Sequence, residues 1–189
     1  PGMADPETVV LVEGVSDRAA VEAVAAKHGR DFAADGLSVV PIGGASAFGE
    51  YIDDLVNRRS FAGKLAGLCD AGEVGDLLRG LERAGVASGL SRLDLEHHGF
   101  FICEADLEEE LIRALGADGV EAVVAAAGEL RSFRSLQNQP AWRGRAREHQ
   151  LRRFFGSKSG RKALYGRLMV EALDLARVPQ PLRALLAYV

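Results

Sequence analysis

Cysteine is scarce in this chain: Cys69 and Cys103 are the only two in 189 residues. Each closes an apolar run, where a reduced thiol behaves as a small buried hydrophobe. A disulfide framework or a zinc site would ask for more ligands or an oxidising compartment, and the four histidines lack metal-site spacing. No apolar run approaches the roughly 18 residues of a membrane span, and no basic segment followed by an apolar one marks a leader. A cytoplasmic protein with no membrane partner is expected. Glycine-rich nucleotide motifs are missing too. Gly43-Gly44 falls short of GxGxxG, and Gly156-Ser157-Lys158-Ser159-Gly160 lacks both the GxxxxGK[ST] order and a preceding strand. There is no internal repeat, low-complexity tract or long linker, and Pro1-Gly2 ahead of Met3 reads as a cloning remnant.

What is present suits one globular domain with an appendage: 48% of residues are hydrophobic and 26% charged. The net charge of −4 hides an asymmetry. Residues 1–129 hold 24 acids and 10 Lys or Arg, a balance of −14, whereas residues 130–189 hold 3 acids and 13 Lys or Arg, a balance of +10. Such a division suits a metal site beside a polyanion-binding surface. It equally suits basic helices docked on an acidic domain.

The chain is organised around Val9-Val10-Leu11-Val12-Glu13-Gly14-Val15-Ser16-Asp17. A β-branched run stopping at an acid and a glycine reads as a buried strand entering a strand-to-helix turn, with Ser16 or Asp17 as cap. Strands are expected again at 37–42, 64–69 and 99–103. Amphipathic helices are expected from Asp17 to His28, Ala47 to Arg58, Asp70 to about Ala84, and Leu107 to Leu115, the last closed by Gly116. This βαβαβαβα order predicts an α/β fold with a mainly parallel four-stranded sheet flanked by helices. Beyond Gly116 the pattern is helical only, at 120–130, 131–137, 142–155, 158–177 and 181–188. The expected division is an α/β domain at 4–129 and a basic helical extension at 130–189 packed on it.

The chemistry lies at the strand ends. Strand one ends at Glu13, strand three at Asp70 and strand four at Glu104, with Asp17, Glu73, Asp106 and Glu108 just downstream. Asp17 or Asp106 alone reads best as a helix cap, but glutamate is a poor cap, so acids ending three strands of four point to a shared site. Parallel α/β sheets bind ligands at that edge. A carboxylate cluster without paired Cys or His suits Mg²⁺ or Mn²⁺, with coordination positions left for phosphate. Glu13, Asp70 and Glu104 are expected within about one coordination sphere of one another.

The stretches EGVSD at Glu13–Asp17, CDAGE at Cys69–Glu73 and CEADLEEELIRALG at Cys103–Gly116 resemble a Toprim domain, in particular that of the OLD (overcoming lysogenization defect) nucleases. The resemblance covers residues 8–116, with a weaker echo at Lys158–Tyr165. It implies a Rossmann-like sheet that binds divalent metal for phosphoryl transfer on nucleic acid, with DNA the expected form and RNA left open. It assigns Glu13 as metal ligand or general acid/base and Asp17 and Asp70 as ligands, and it makes Lys162, or else Lys158, the lysine near the scissile phosphate. The usual Asp-X-Asp motif reads Asp70-Ala71-Gly72 here, so its second aspartate is lost at Gly72. A metal would then draw on Glu73, Glu104 or Asp106. Full OLD proteins carry an ATPase ahead of this domain, and a separately encoded ATPase is therefore an expected partner.

Two functions follow. The first is an OLD-like metal-dependent endonuclease with Glu13 and Lys162 catalytic, and with Arg152, Arg153, Lys158 and Arg161 on nucleic acid. The alternative is a non-catalytic or partner-dependent Toprim module that binds nucleic acid or nucleotide. A phospho-acceptor receiver centred on Asp70 is more distant, because the early Glu-Gly turn and the basic tail argue against it.

Overall fold

The computed structural model describes residues 7–44, 47–59 and 61–189. The Pro1-Gly2-Met3 start and the first residues of the expected 4–129 domain lie outside them. Four parallel strands, β1 (Thr8–Val12), β2 (Leu37–Pro41), β3 (Lys64–Asp70) and β4 (Phe100–Cys103), form one sheet in the order β2-β1-β3-β4. The two central strands, β1 and β3, are those that end in Glu13 and Asp70.

Both faces of the sheet are covered, as an all-parallel sheet requires. Val9 and Leu11 of β1 face one apolar cluster with Cys69 and Phe100, closed by α2 (Phe48–Asp53) and α3 (Val74–Arg83). Val10 and Val12 face the other, larger cluster. It is closed by α1 (Val15–Lys27), α4 (Leu107–Ala126), α5 (Leu130–Gln137), α6 (Arg147–Phe155), α7 (Arg161–Ala172) and α8 (Gln180–Tyr188). The basic segment 130–189 therefore packs through apolar side chains into the same core as the sheet. Tyr188 of α8 meets Phe101 edge-on, and Lys64 Nζ donates to the Tyr188 carbonyl at 2.5 Å.

Several helix limits differ from the sequence reading, each for a local reason. Helix α2 passes into one π-helical stretch, Asp54–Arg58, with Phe48, Ile52 and Leu55 buried. Gly116 does not end α4 but kinks it, at φ 75° and ψ 156°, and the helix resumes at once. The helix expected from residue 142 begins only at Arg147, because Gly144 takes a positive φ of 78°. Likewise α7 starts at Arg161, directly after left-handed Gly160, and its buried face is Arg161, Tyr165, Gly166, Met169 and Val170.

Candidate functional site

Glu13 and Asp70 lie where β1 and β3 end side by side. Their carboxyl groups come within hydrogen-bonding reach of each other. Burial pushes the Asp70 carboxyl up to about 8, helped by the hydrogen bond to Glu13 and by the charges of Glu13, Asp106 and Asp17. Asp17, in the first turn of α1, accepts from the Gly14 N–H at 2.8 Å. Its carboxyl is pushed up to about 6, chiefly by burial and then by Glu13 and Asp106, against the lowering effect of that hydrogen bond. Asp106 caps α4 through the Glu109 N–H at 2.8 Å and sends its other oxygen to Arg152. Asp106 thus acts as the cap expected of it alone, whereas α1 is capped at Gly14 and Asp17 sits at its third position, and both acids also join the group around Asp70.

Glu104 does not join it. Its side chain is 71% exposed and takes a hydrogen bond from Arg92 at 2.9 Å. Cys103 is paired in register with Asp70 and buried, so Glu104 follows it off the end of the edge strand toward solvent. The expected trio of Glu13, Asp70 and Glu104 is therefore replaced by Glu13, Asp70, Asp17 and Asp106. Glu73 closes the 3₁₀ turn Ala71–Glu73, where its charge is felt at Cys69. Burial, then Asp70 and Glu73, raise that thiol to about 12 and keep it protonated.

The lysine arrives from the far end of the chain. Lys162, in the first turn of α7, lies with Nζ 3.8 Å from Glu108 Oε2. A cation at a helix N-terminus opposes the helix dipole, and Glu108 supplies the compensating anion. Glu108 is itself largely buried, and that burial raises its pKa while Lys162 lowers it. Lys162, Glu108 and Asp17 line one cleft between α1, α4 and α7.

The other basic residues divide sharply. Arg161, expected on nucleic acid, is buried instead. It bonds Glu129 Oε1 at 2.8 Å, the Phe154 carbonyl at 3.0 Å and Ser157 Oγ at 2.7 Å, and it lies over the Phe154 ring. Arg152 spans Asp106, Glu108 and Glu109 and offsets the acidic cluster. Arg134 and Arg147 pair with Glu121. Much of the basic tail therefore docks on acidic α4. Arg153 and Lys158 remain exposed, and neither carries a carboxylate partner among the described residues. Two acids were underestimated in the sequence. Glu108 and Glu110 both sit in the acidic run, and Glu110, beside Leu107 and Leu111 at helical spacing, is buried and holds the Glu104 N–H and Arg113. That spacing was the available signal.

Residues 7–70, which carry β1, α1 and β3 with its terminal aspartate, match the family model described as overcoming lysogenization defect protein-like, TOPRIM domain. Over that stretch, about a third of the chain, the sequence is similar to OLD-like Toprim domains. Its fold is shared with the C-terminal region of the Xanthomonas campestris pv. campestris OLD protein, with a TM-score of 0.71, 20% identity and coverage of 96% of this chain and 93% of that one. The C-terminal region of the Burkholderia pseudomallei OLD protein gives 0.69, 22%, 97% and 96%. At such identities the likeness is one of fold. No curated protein sequence matches.

Toprim domains bind divalent metal ions. Among the described residues, no three acidic, histidine or cysteine side chains form a ready cage. Mg²⁺ needs none, because it keeps several waters and takes one or two carboxylates together with phosphate oxygens. An all-oxygen pair at Glu13 and Asp70, where burial and then the neighbouring acids lead Asp70 to retain a proton, fits that requirement.

Proposed function

We propose that this Toprim domain hydrolyses phosphodiester bonds in nucleic acid, with Mg²⁺ or Mn²⁺ held by Glu13 and Asp70. The supporting observation is a lysine brought from α7 to the edge of the acidic group: Lys162 lies 3.8 Å from Glu108 and shares a cleft with Asp17, whose charge acts on Asp70. The ion, when bound, polarises the phosphoryl oxygens and generates a nucleophile from water. Glu13 and Asp70 orient it, with Asp17 and Asp106 adding negative charge around the pair. Glu13 would also take the proton of the attacking water. Lys162, a compact and mobile ammonium, stabilises charge developing on the phosphate. DNA is the first substrate to try, and an ATPase partner belongs to the same reading. Cleavage of supercoiled, linear and single-stranded DNA, and of RNA, with Mg²⁺, Mn²⁺, Ca²⁺ or EDTA is the test. Metal-dependent product that disappears in Glu13→Gln supports hydrolysis, and no product with any metal on any substrate rejects it.

One observation favours the second reading, a module that binds without cutting. Gly72 occupies the position of the missing aspartate, and a β-carbon added there meets nothing within 4 Å. Gly72→Asp should therefore fold, and activity gained only in that variant would mark the wild-type domain as catalytically silent.

A further inference from the structure

A groove of about 400 Å³ opens beside Lys162. Its walls carry Arg145, His149, Arg152, Arg153 and Lys162 against a single acid, Glu108, and its one aromatic is Trp142. Two of these cations, Arg145 and Arg153, have no carboxylate partner among the described residues, in contrast to Arg152, whose charge is held by three acids. The Arg153 guanidinium lies 5.9 Å from the centre of the Trp142 ring.

The segment bearing Trp142 is held in place rather than loose. Gln150, buried beneath it, donates to the Trp142 carbonyl at 2.8 Å and accepts from Gln137 Nε2 at 2.8 Å. Trp142 itself is half-buried against the main core. A fixed indole beside unpaired guanidinium groups matches what an unstacked base and its phosphates require: a flat apolar face and cations spaced along the backbone. Duplex DNA hides its base faces, so a groove meeting only phosphates would have no use for the indole.

We propose that this groove is a base-stacking subsite for single-stranded nucleic acid, in which Trp142 receives a base while Arg145 and Arg153 hold the flanking phosphates and lead the strand to Lys162. The inference rests on the nucleic-acid reading above and names the form of the substrate. Hydrolysis is not needed to test it.

Trp142 is the only tryptophan, so its fluorescence reports the groove alone. The probes are a short oligo(dT) and an abasic oligonucleotide of equal length, titrated into the whole chain in EDTA at low salt, with anisotropy of an end label giving affinity. Oligo(dT) should bind and quench Trp142, and the abasic strand should bind without comparable quenching. Trp142→Ala should weaken oligo(dT) about tenfold and leave the abasic strand unchanged, while Trp142→Phe recovers most of the loss. Arg145→Ala with Arg153→Ala should weaken both probes alike. Equal quenching by both strands, equal losses in Trp142→Ala, or no binding of either strand would overturn the proposal. An oligo(dT) preference in a protein that cleaves nothing would reject hydrolysis and leave the stacking subsite standing.

Discussion

Gly166 of α7 lies against the main-chain carbonyl of Ser16 in α1, so close that a β-carbon added to it would stand 2.7 Å from that oxygen. Lys162 precedes Gly166 by about one helical turn on α7, and Ser16 adjoins Asp17. This backbone contact therefore sets how near the lysine comes to the acids. Gly166→Ala must push α7 outward. It should cost about 1–3 kcal/mol in urea unfolding and lower the cleavage rate at saturating metal. An alanine variant matching the wild type in both would separate the helix contact from the site.

Protonation of the acidic pair predicts a pH window. Asp70 and Asp17 hold protons in the folded protein up to about 8 and about 6 that the unfolded chain releases near 4. Their raised values favour the fold below the unfolded pKa, and that contribution is lost as pH rises through the folded values. Metal-free stability contributed by these groups should therefore fall between pH 4 and 8. A divalent ion competes with the same protons, so the rise in Tm produced by Mg²⁺ should be larger at pH 8 than at pH 6. A Tm increment independent of pH would speak against a metal on Asp70.

Arg161 and Arg153, two of the three arginines expected on nucleic acid, should behave oppositely. Arg161→Ala leaves Glu129 without its buried cation, with only the Tyr165 hydroxyl still donating to it, and should destabilise by about 3 kcal/mol. Arg153→Ala should change stability by less than about 0.5 kcal/mol. It should, however, weaken nucleic-acid binding and flatten its salt dependence, because each lost phosphate contact releases one counterion fewer. Chemical unfolding and salt titrations of both variants distinguish the roles.

Glu104→Gln should leave metal-dependent cleavage within about twofold of wild type, since the carboxylate faces Arg92 and solvent. Asp106→Asn removes both a cap oxygen's charge and the Arg152 partner, and it should lower both stability and activity. The reverse ranking would restore Glu104 to the site.

The sheet was legible because each strand is a short apolar run ended by an acid or glycine, and β1 buries both of its faces. Asp106 was legible as a cap because capping needs only local spacing, whereas α1 starts earlier than its reading, capped at Gly14 ahead of Ser16 and Asp17. Glu104 was misplaced because strand-end position does not tell which face the next residue takes on an edge strand. Arg161 was misread because charge alone does not distinguish a cation turned inward to Glu129 from one turned to solvent. The arrival of Lys162 beside Glu108 depends on a long-range contact, Gly166 on Ser16, which no local pattern encodes. Family resemblance supplied that lysine, and periodicity did not.

The most direct test compares Glu13→Gln and Lys162→Ala with wild type for Mn²⁺ binding by titration calorimetry and for DNA cleavage at saturating Mn²⁺. The account predicts that Glu13→Gln loses both, and that Lys162→Ala binds Mn²⁺ as wild type does while cleaving about 100-fold more slowly. Undiminished cleavage in either variant would contradict it.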